Sequence, residues 1–302
     1  MKRILVGTDF SAAATRAVYA AAGWARLRRA QLRIVHIVPP RRWLVGPWRS
    51  DSSLTRAAHR QARAALRRLA DELDPRRELE ISTGLVVGAA SVALRRAARD
   101  FQPDLLVAGA RGEHEAGACG LSLGGTALKL LATSPTPLLL VRRDTAEAPA
   151  TVLAAVDLGP LSGAVLAWAA RCVADDGQIL AFHAWEAPFA ARLESYGLSR
   201  SAVDVYAEEE QRRREQLLAS LTAASCGETP VQKLIARGDA IERLFEQLRA
   251  LEPQLVVIGR HEPRQRRSSA ASFGSVCRHT ALFAPTDVLV VPPGGHQGGS
   301  SA

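Results

Sequence analysis

The chain has 302 residues, 47% of them hydrophobic and 23% charged, the balance of a globular protein long enough for two domains with their own cores. No apolar run approaches the roughly 18 residues of a membrane span, and no charged-then-apolar leader precedes the first strand pattern at Ile4, so a cytoplasmic location without membrane contact is expected. Cys119, Cys172, Cys226 and Cys277 form no C-x-x-C pair, which argues against a disulfide framework or a zinc site.

Taken in chain order, short apolar runs alternate with segments of helical period. Strands are expected near 3–8, 32–38, 80–87, 104–109 and 137–142, and helices near 11–28, 52–73, 89–101 and 124–133. Runs such as Asp104-Leu105-Leu106-Val107-Ala108 have no polar alternation, as suits parallel strands covered on both faces. On the helix near 52–73, Arg56, Arg60, Arg63 and Arg67 recur at helical spacing. Without an aromatic-rich strand or helix-turn-helix pattern beside them, a solvated face is expected there and nucleic acid is not an expected partner.

The pattern then starts again. Asp9 and Asp157 each follow an apolar strand, 148 residues apart, and Gly88/Gly238, Gly109/Gly259, Gly124/Gly274 and Pro135/Pro285 all match at a separation of 150. So small a drift marks a duplication. The reading is one α/β domain at 1–145, a linker over 144–149, a second such domain at 150–293 and a disordered tail at 294–302. Each copy is a doubly wound, five-stranded parallel sheet of Rossmann-like type. The halves differ in charge: residues 1–145 hold 24 basic and 12 acidic residues (+12), and residues 146–302 hold 15 and 18 (−3).

In such sheets ligands sit beyond the carboxyl ends of the strands. There stand Asp9, after the first strand, and Gly109-Ala110-Arg111-Gly112, followed after eleven residues by Gly124-Gly125-Thr126 at a helix start. Glycines let backbone amides approach a phosphate, and the helix start adds N–H groups and a positive dipole end. Asp9 and Asp157 admit a second role, as caps of the helices that follow. Gly88 and Gly238 read as turn residues, and His36 and His183 as interior histidines with satisfied hydrogen bonds.

At these residues the chain resembles the universal stress protein family, specifically its tandem members, over nearly its whole length. ATP-binding members carry Gly-x2-Gly-x9-Gly-(Ser/Thr) after the fourth strand. The resemblance implies a strand order of 3-2-1-4-5, with the fold of the adenine nucleotide alpha hydrolases. It implies that Asp9 and Ile37 hold adenosine, that Gly109, Arg111, Gly112, Gly124, Gly125 and Thr126 hold ribose and phosphates, and that the ligand is ATP, with Mg²⁺ when ATP is bound. It also implies an intramolecular pseudo-dimer of the two copies, with a homodimer of the chain left open.

The departures are specific. The first-copy spacer is eleven and Gly125 stands where the family has a hydroxyl, so Thr126 would substitute. The second copy reads Gly259-x2-Glu262-x11-Gly274-Ser275. A phosphate about 4 Å from Glu262 would be opposed by roughly 1 kcal/mol in water-like surroundings and about 4 kcal/mol in a partly buried site. The leading expectation is a stress-response or signalling protein that binds an adenine nucleotide in its first copy. The alternative is a tandem stress protein acting through protein contacts without nucleotide. The third, a slow ATPase, has least support, because no G-x4-G-K-[S/T] loop, paired carboxylates or catalytic triad spacing stands in the sequence, and no enzyme is expected.

Overall fold

The computed structural model describes residues 1–38, 52–110, 123–145, 147–186, 199–261 and 274–294. The chain divides into two compact units, the first built mainly of Met1–Ala148 and the second of Pro149–Thr280 with Ala284–Pro293.

In the first unit β1 (Arg3–Thr8), β2 (Gln31–Val38), β3 (Ile81–Val87), β4 (Leu105–Gly109) and β5 (Leu138–Val141) alternate with α1 (Ala12–Arg28), α2 (Ser52–Leu73), α3 (Ala90–Phe101) and α4 (Gly125–Thr133). All pairings within the unit are parallel and the spatial order is β3-β2-β1-β4-β5. Register runs Thr8 to His36, Val6 to Val107 and Gly109 to Val141. The connections from β1 to β3 step one way across the sheet, and those from β3 to β5 step the other. With right-handed crossovers this reversal places α1 and α2 on one face, α3 and α4 on the opposite one. Consistently, α3 packs against α4, and α1 lies over β1 and β4.

The core follows from the apolar runs. Ile4, Leu5 and Val6 of β1 and Leu105, Leu106 and Val107 of β4 are buried on both faces, as a central parallel strand requires. The alanines of α1, with Ala17, Ala21 and Ala25 fully buried, let that helix lie close to the sheet. Ser11 caps its start by accepting the Ala14 N–H at 3.2 Å, and Arg29, at φ 48°, ends it in the left-handed conformation. On the other face a Cβ at Gly7 would meet Leu94 Cδ1 and Cδ2 at 2.9 Å, so the glycine is what lets α3 approach β1.

The second unit repeats the plan with β6 (Thr151–Ala155), β7 (Gln178–Trp185), β8 (Val231–Arg237), β9 (Leu255–Gly259) and β10 (Asp287–Val291) in the order β8-β7-β6-β9-β10. Its helices are α5 (Ser162–Cys172), α6 (Arg200–Ser225), α7 (Ala240–Leu251) and α8 (Ser275–Phe283). Cys172, Cys226 and Cys277 are buried; burial pushes the Cys226 thiol up to about 11 and the Cys277 thiol up to about 12. Cys119, the linker residue Ala146 and positions 295–302 of the expected tail lie outside the described residues. No described helix is long and apolar enough to cross a membrane.

Candidate functional site

The sheet order reverses at β1 and β4, and the chain leaves both strands at their carboxyl ends into the residues singled out by sequence. Beyond β1, Asp9 is exposed and accepts the Ser11 N–H at 3.0 Å. Thr8 Oγ1 accepts the Phe10 N–H at 3.0 Å, and Phe10 is held at φ 63°. These bonds shape the turn that precedes α1. The cap itself is Ser11, so the helix-capping role considered for Asp9 is corrected: its short carboxylate accepts the amide of the cap residue two positions on.

The same correction holds in the second unit. Asp157 accepts the Gly159 N–H at 2.9 Å and the Ser162 hydroxyl at 3.1 Å, with Leu158 at φ 60°. The residue preceding α5 is Leu161, and no side chain caps it. A further partner comes from beyond β9, where His261 Nε2 lies 3.1 Å from Asp157 Oδ2.

Near the carboxyl ends of β2 and β7 the two units share one hydrogen bond. His36 Nδ1 is 2.9 Å from the Thr8 carbonyl oxygen and His183 Nδ1 is 2.9 Å from that of Val156. Ile37 and Ala184, the residues that follow, therefore occupy matching places on the opposite face of the sheet. His36 is half-buried and stacks on Phe10 at 4.5 Å between ring centroids. His183 is only 6% exposed, and its Nε2 has no hydrogen-bond partner among the described residues. Its reading as a satisfied interior histidine thus holds for one ring nitrogen and fails for the other. Desolvation by burial holds its pKa below the ordinary value, helped by the positive Arg214 and opposed by the Val156 carbonyl and Asp157. Arg214 lies over the Trp185 ring, 4.4 Å from the centroid, and pairs with Glu210.

Beyond β4, Gly109 ends the strand and Gly124 precedes α4 in an extended conformation, its N–H donated to the Ala110 carbonyl at 2.8 Å. The N-cap position of α4 is Gly124, which has no side chain to make a capping bond. Gly125 is exposed and a Cβ there would meet nothing within 4 Å, while Thr126 is half-buried. Arg111 and Gly112 lie outside the described residues.

The second unit shows what these positions surround. The counterparts of Asp9, Ile37, Gly109, Gly124, Gly125 and Thr126 are Asp157, Ala184, Gly259, Gly274, Ser275 and Val276, and all six line one cavity of about 220 Å³. Phe182, Leu161, Val165, Leu244 and Ile258 supply apolar walls, and Ser162 and His261 supply polar groups. That volume is below the roughly 300–1,000 Å³ of sites that enclose a drug-sized ligand, so it suits a planar ring with the rest of the molecule outside. Sequence reasoning passed over His261, Ser162 and Leu244. His261 carried a signal, two residues past Gly259, but attention there went to Glu262, which is outside the described residues.

The universal stress protein family model matches residues 1–142 and again residues 150–292. This chain belongs to the universal stress protein family. As a tandem member it carries two such domains within one polypeptide. A universal stress protein from Archaeoglobus fulgidus is similar over 97% of this chain and 98% of its own, at 15% identity and a TM-score of 0.65. A functionally unknown protein from Pseudomonas aeruginosa PAO1 covers 97% of this chain and 92% of its own, at 18% identity and the same score of 0.65. These establish the shared tandem fold. A universal stress protein solved in complex with cAMP is 27% identical over 47% of this chain and 97% of its own, with a TM-score of 0.37. No curated protein matches the chain.

Proposed function

We propose that this tandem universal stress protein is a stress-response protein that binds an adenine nucleotide, ATP in the first instance, beyond the carboxyl ends of β1, β2 and β4. In this reading Asp9 and Ile37 contact adenosine, and Gly109, Arg111, Gly112 and Gly124 to Thr126 hold ribose and phosphates. The observation that carries it is the start of α4. Gly124 at the N-cap position has no side chain of its own to offer the helix, and a Cβ at Gly125 would meet nothing within 4 Å. A helix start of that kind favours an anion through its first-turn amides and its positive dipole end. Asp9 stands at the adjacent strand end, and with ATP, Mg²⁺ enters on the phosphates.

The cavity in the second unit supports the same placement, since the matching residues there converge on one space. In that unit the Asp157 carboxylate holds the Gly159 amide, the Ser162 hydroxyl and His261. The test is to denature freshly purified full-length protein, identify released nucleotides by chromatography and mass spectrometry, and titrate the stripped protein with ATP and AMP by calorimetry. Stoichiometric adenine nucleotide, or micromolar binding by the stripped protein, supports the reading. No released nucleotide together with no heat up to millimolar ATP overturns it.

A further inference from the structure

The two long helices that follow the second strand of each unit differ in charge. In α2 the residues from Ser52 to Leu73 include five arginines and two acidic residues. Leu66, Leu69 and Leu73 are buried, whereas Arg56, Arg60, Arg63 and Arg67 are exposed. At 100° per residue these four fall in a stripe ~60° wide, with steps of ~6, ~4.5 and ~6 Å along the axis. No carboxylate pairs with any of them among the described residues. The counterpart α6 has four basic and five acidic residues between Arg200 and Ser225. Two of its arginines are neutralised on the helix, Arg212 by Glu208 and Arg214 by Glu210. A generally arginine-rich composition would leave both helices in excess; only α2 is.

We propose that this face of α2 docks on the phosphate backbone of double-stranded DNA without reading its sequence. The chemistry of the face selects among polyanions. Between the arginines the exposed residues are Ala57, Ala58, Gln61 and Ala64. They offer no aromatic ring for stacking single-stranded bases and few polar groups for the 2′-hydroxyls of an RNA duplex. The apolar side of α2 packs on β2 and β3, so it is not free to enter a bilayer as an interfacial helix would. What remains is a row of guanidinium groups, the donors suited to phosphate oxygens. Contacts of this kind position a protein on DNA and need no helix-turn-helix motif.

The test measures binding of the full chain to a 20-base-pair, fluorescein-labelled DNA duplex by anisotropy between 50 and 200 mM KCl. Four phosphate contacts give a slope of log Kobs against log salt of about −3.6. Arg60→Gln with Arg63→Gln should halve the slope and weaken binding at least tenfold at 50 mM KCl. Arg56→Gln with Arg67→Gln should do the same. Arg212→Gln with Arg213→Gln on α6 should leave both unchanged. All six positions are exposed, and thermal melts confirm that each variant is folded. Absence of binding at 50 mM KCl, an unchanged slope in both α2 variants, or tighter binding to an RNA duplex, a single strand or phosphatidylserine vesicles would overturn the proposal.

Discussion

His261 Nε2 lies 3.1 Å from Asp157 Oδ2 beside the cavity of the second unit, with the two side chains 44% and 55% exposed. At that exposure water screens the pair, and its contribution is under about 1 kcal/mol. Asp157 also holds the Gly159 amide and the Ser162 hydroxyl, so its removal frees three partners. Asp157→Ala should therefore cost roughly 1–2 kcal/mol in urea unfolding, and His261→Ala less than about 1 kcal/mol. An equal cost for the two substitutions would show that the contact with His261, and not the turn, holds this loop.

His183 makes the second unit pH-sensitive in a defined direction. Burial holds the imidazole neutral in the folded state, below its ordinary pKa of 6.5, while the unfolded chain titrates normally. Below 6.5 the unfolded state therefore binds a proton that the folded state refuses. The contribution is fully present above pH 6.5 and is lost as pH falls toward the folded-state pKa, with a limiting slope of about 1.4 kcal/mol per pH unit. His183→Asn retains a donor for the Val156 carbonyl and removes the titration. The difference in stability between wild type and variant, followed from pH 7.5 to 5, should change below pH 6.5 and be flat above it. A difference that is flat throughout would show that His183 is protonated in the folded state as readily as in the unfolded.

How the fold reads from sequence depends on where the forces are local. The strand expected near 3–8 is Arg3–Thr8 and the helix expected near 52–73 is Ser52–Leu73, because apolar runs and helical period act over neighbouring residues. The exchange of caps, Ser11 for Asp9, turns on a backbone at φ 63° in Phe10, a conformation that a phenylalanine does not announce. The cavity was illegible for a different reason. Phe182, Leu244 and Ile258 come from β7, α7 and β9, and only the packing of helix against sheet brings them together. Spacing showed the glycines of the loops; it could not show the walls.

Gly88 and Gly238 sit at φ +152° and +133° before α3 and α7. Side chains rarely adopt such a backbone, and the strain is of order 1–3 kcal/mol. At Gly88 an added Cβ would touch only Ala93 Cβ at 3.6 Å, so Gly88→Ala should show the backbone cost alone. At Gly238 it would also meet Arg243 Nε at 2.9 Å, so Gly238→Ala should cost more. Adding Arg243→Ala should recover only that excess. Thermal or urea unfolding checks both, and a neutral Gly88→Ala would mean the turn relaxes to negative φ.

The last prediction separates the two units as nucleotide sites. Gly125 is exposed at the start of α4 with open space where a side chain would go. Glutamate there is compatible with folding: a carboxylate in the first turn is favoured by the helix dipole, and glycine is the poorer helix former. It would nevertheless stand where the proposed phosphates lie. At about 4 Å the repulsion is roughly 4 kcal/mol in a partly buried setting and about 1 kcal/mol in water, so Gly125→Glu should weaken ATP at least tenfold, or about 1.4 kcal/mol. Ser275→Glu makes the matching change at the start of α8, in the wall of the second cavity. Calorimetry on the two full-length variants should show loss in the first and wild-type affinity in the second. The reverse pattern would move the nucleotide to the second unit, where Asp157 would have to release His261 to meet it.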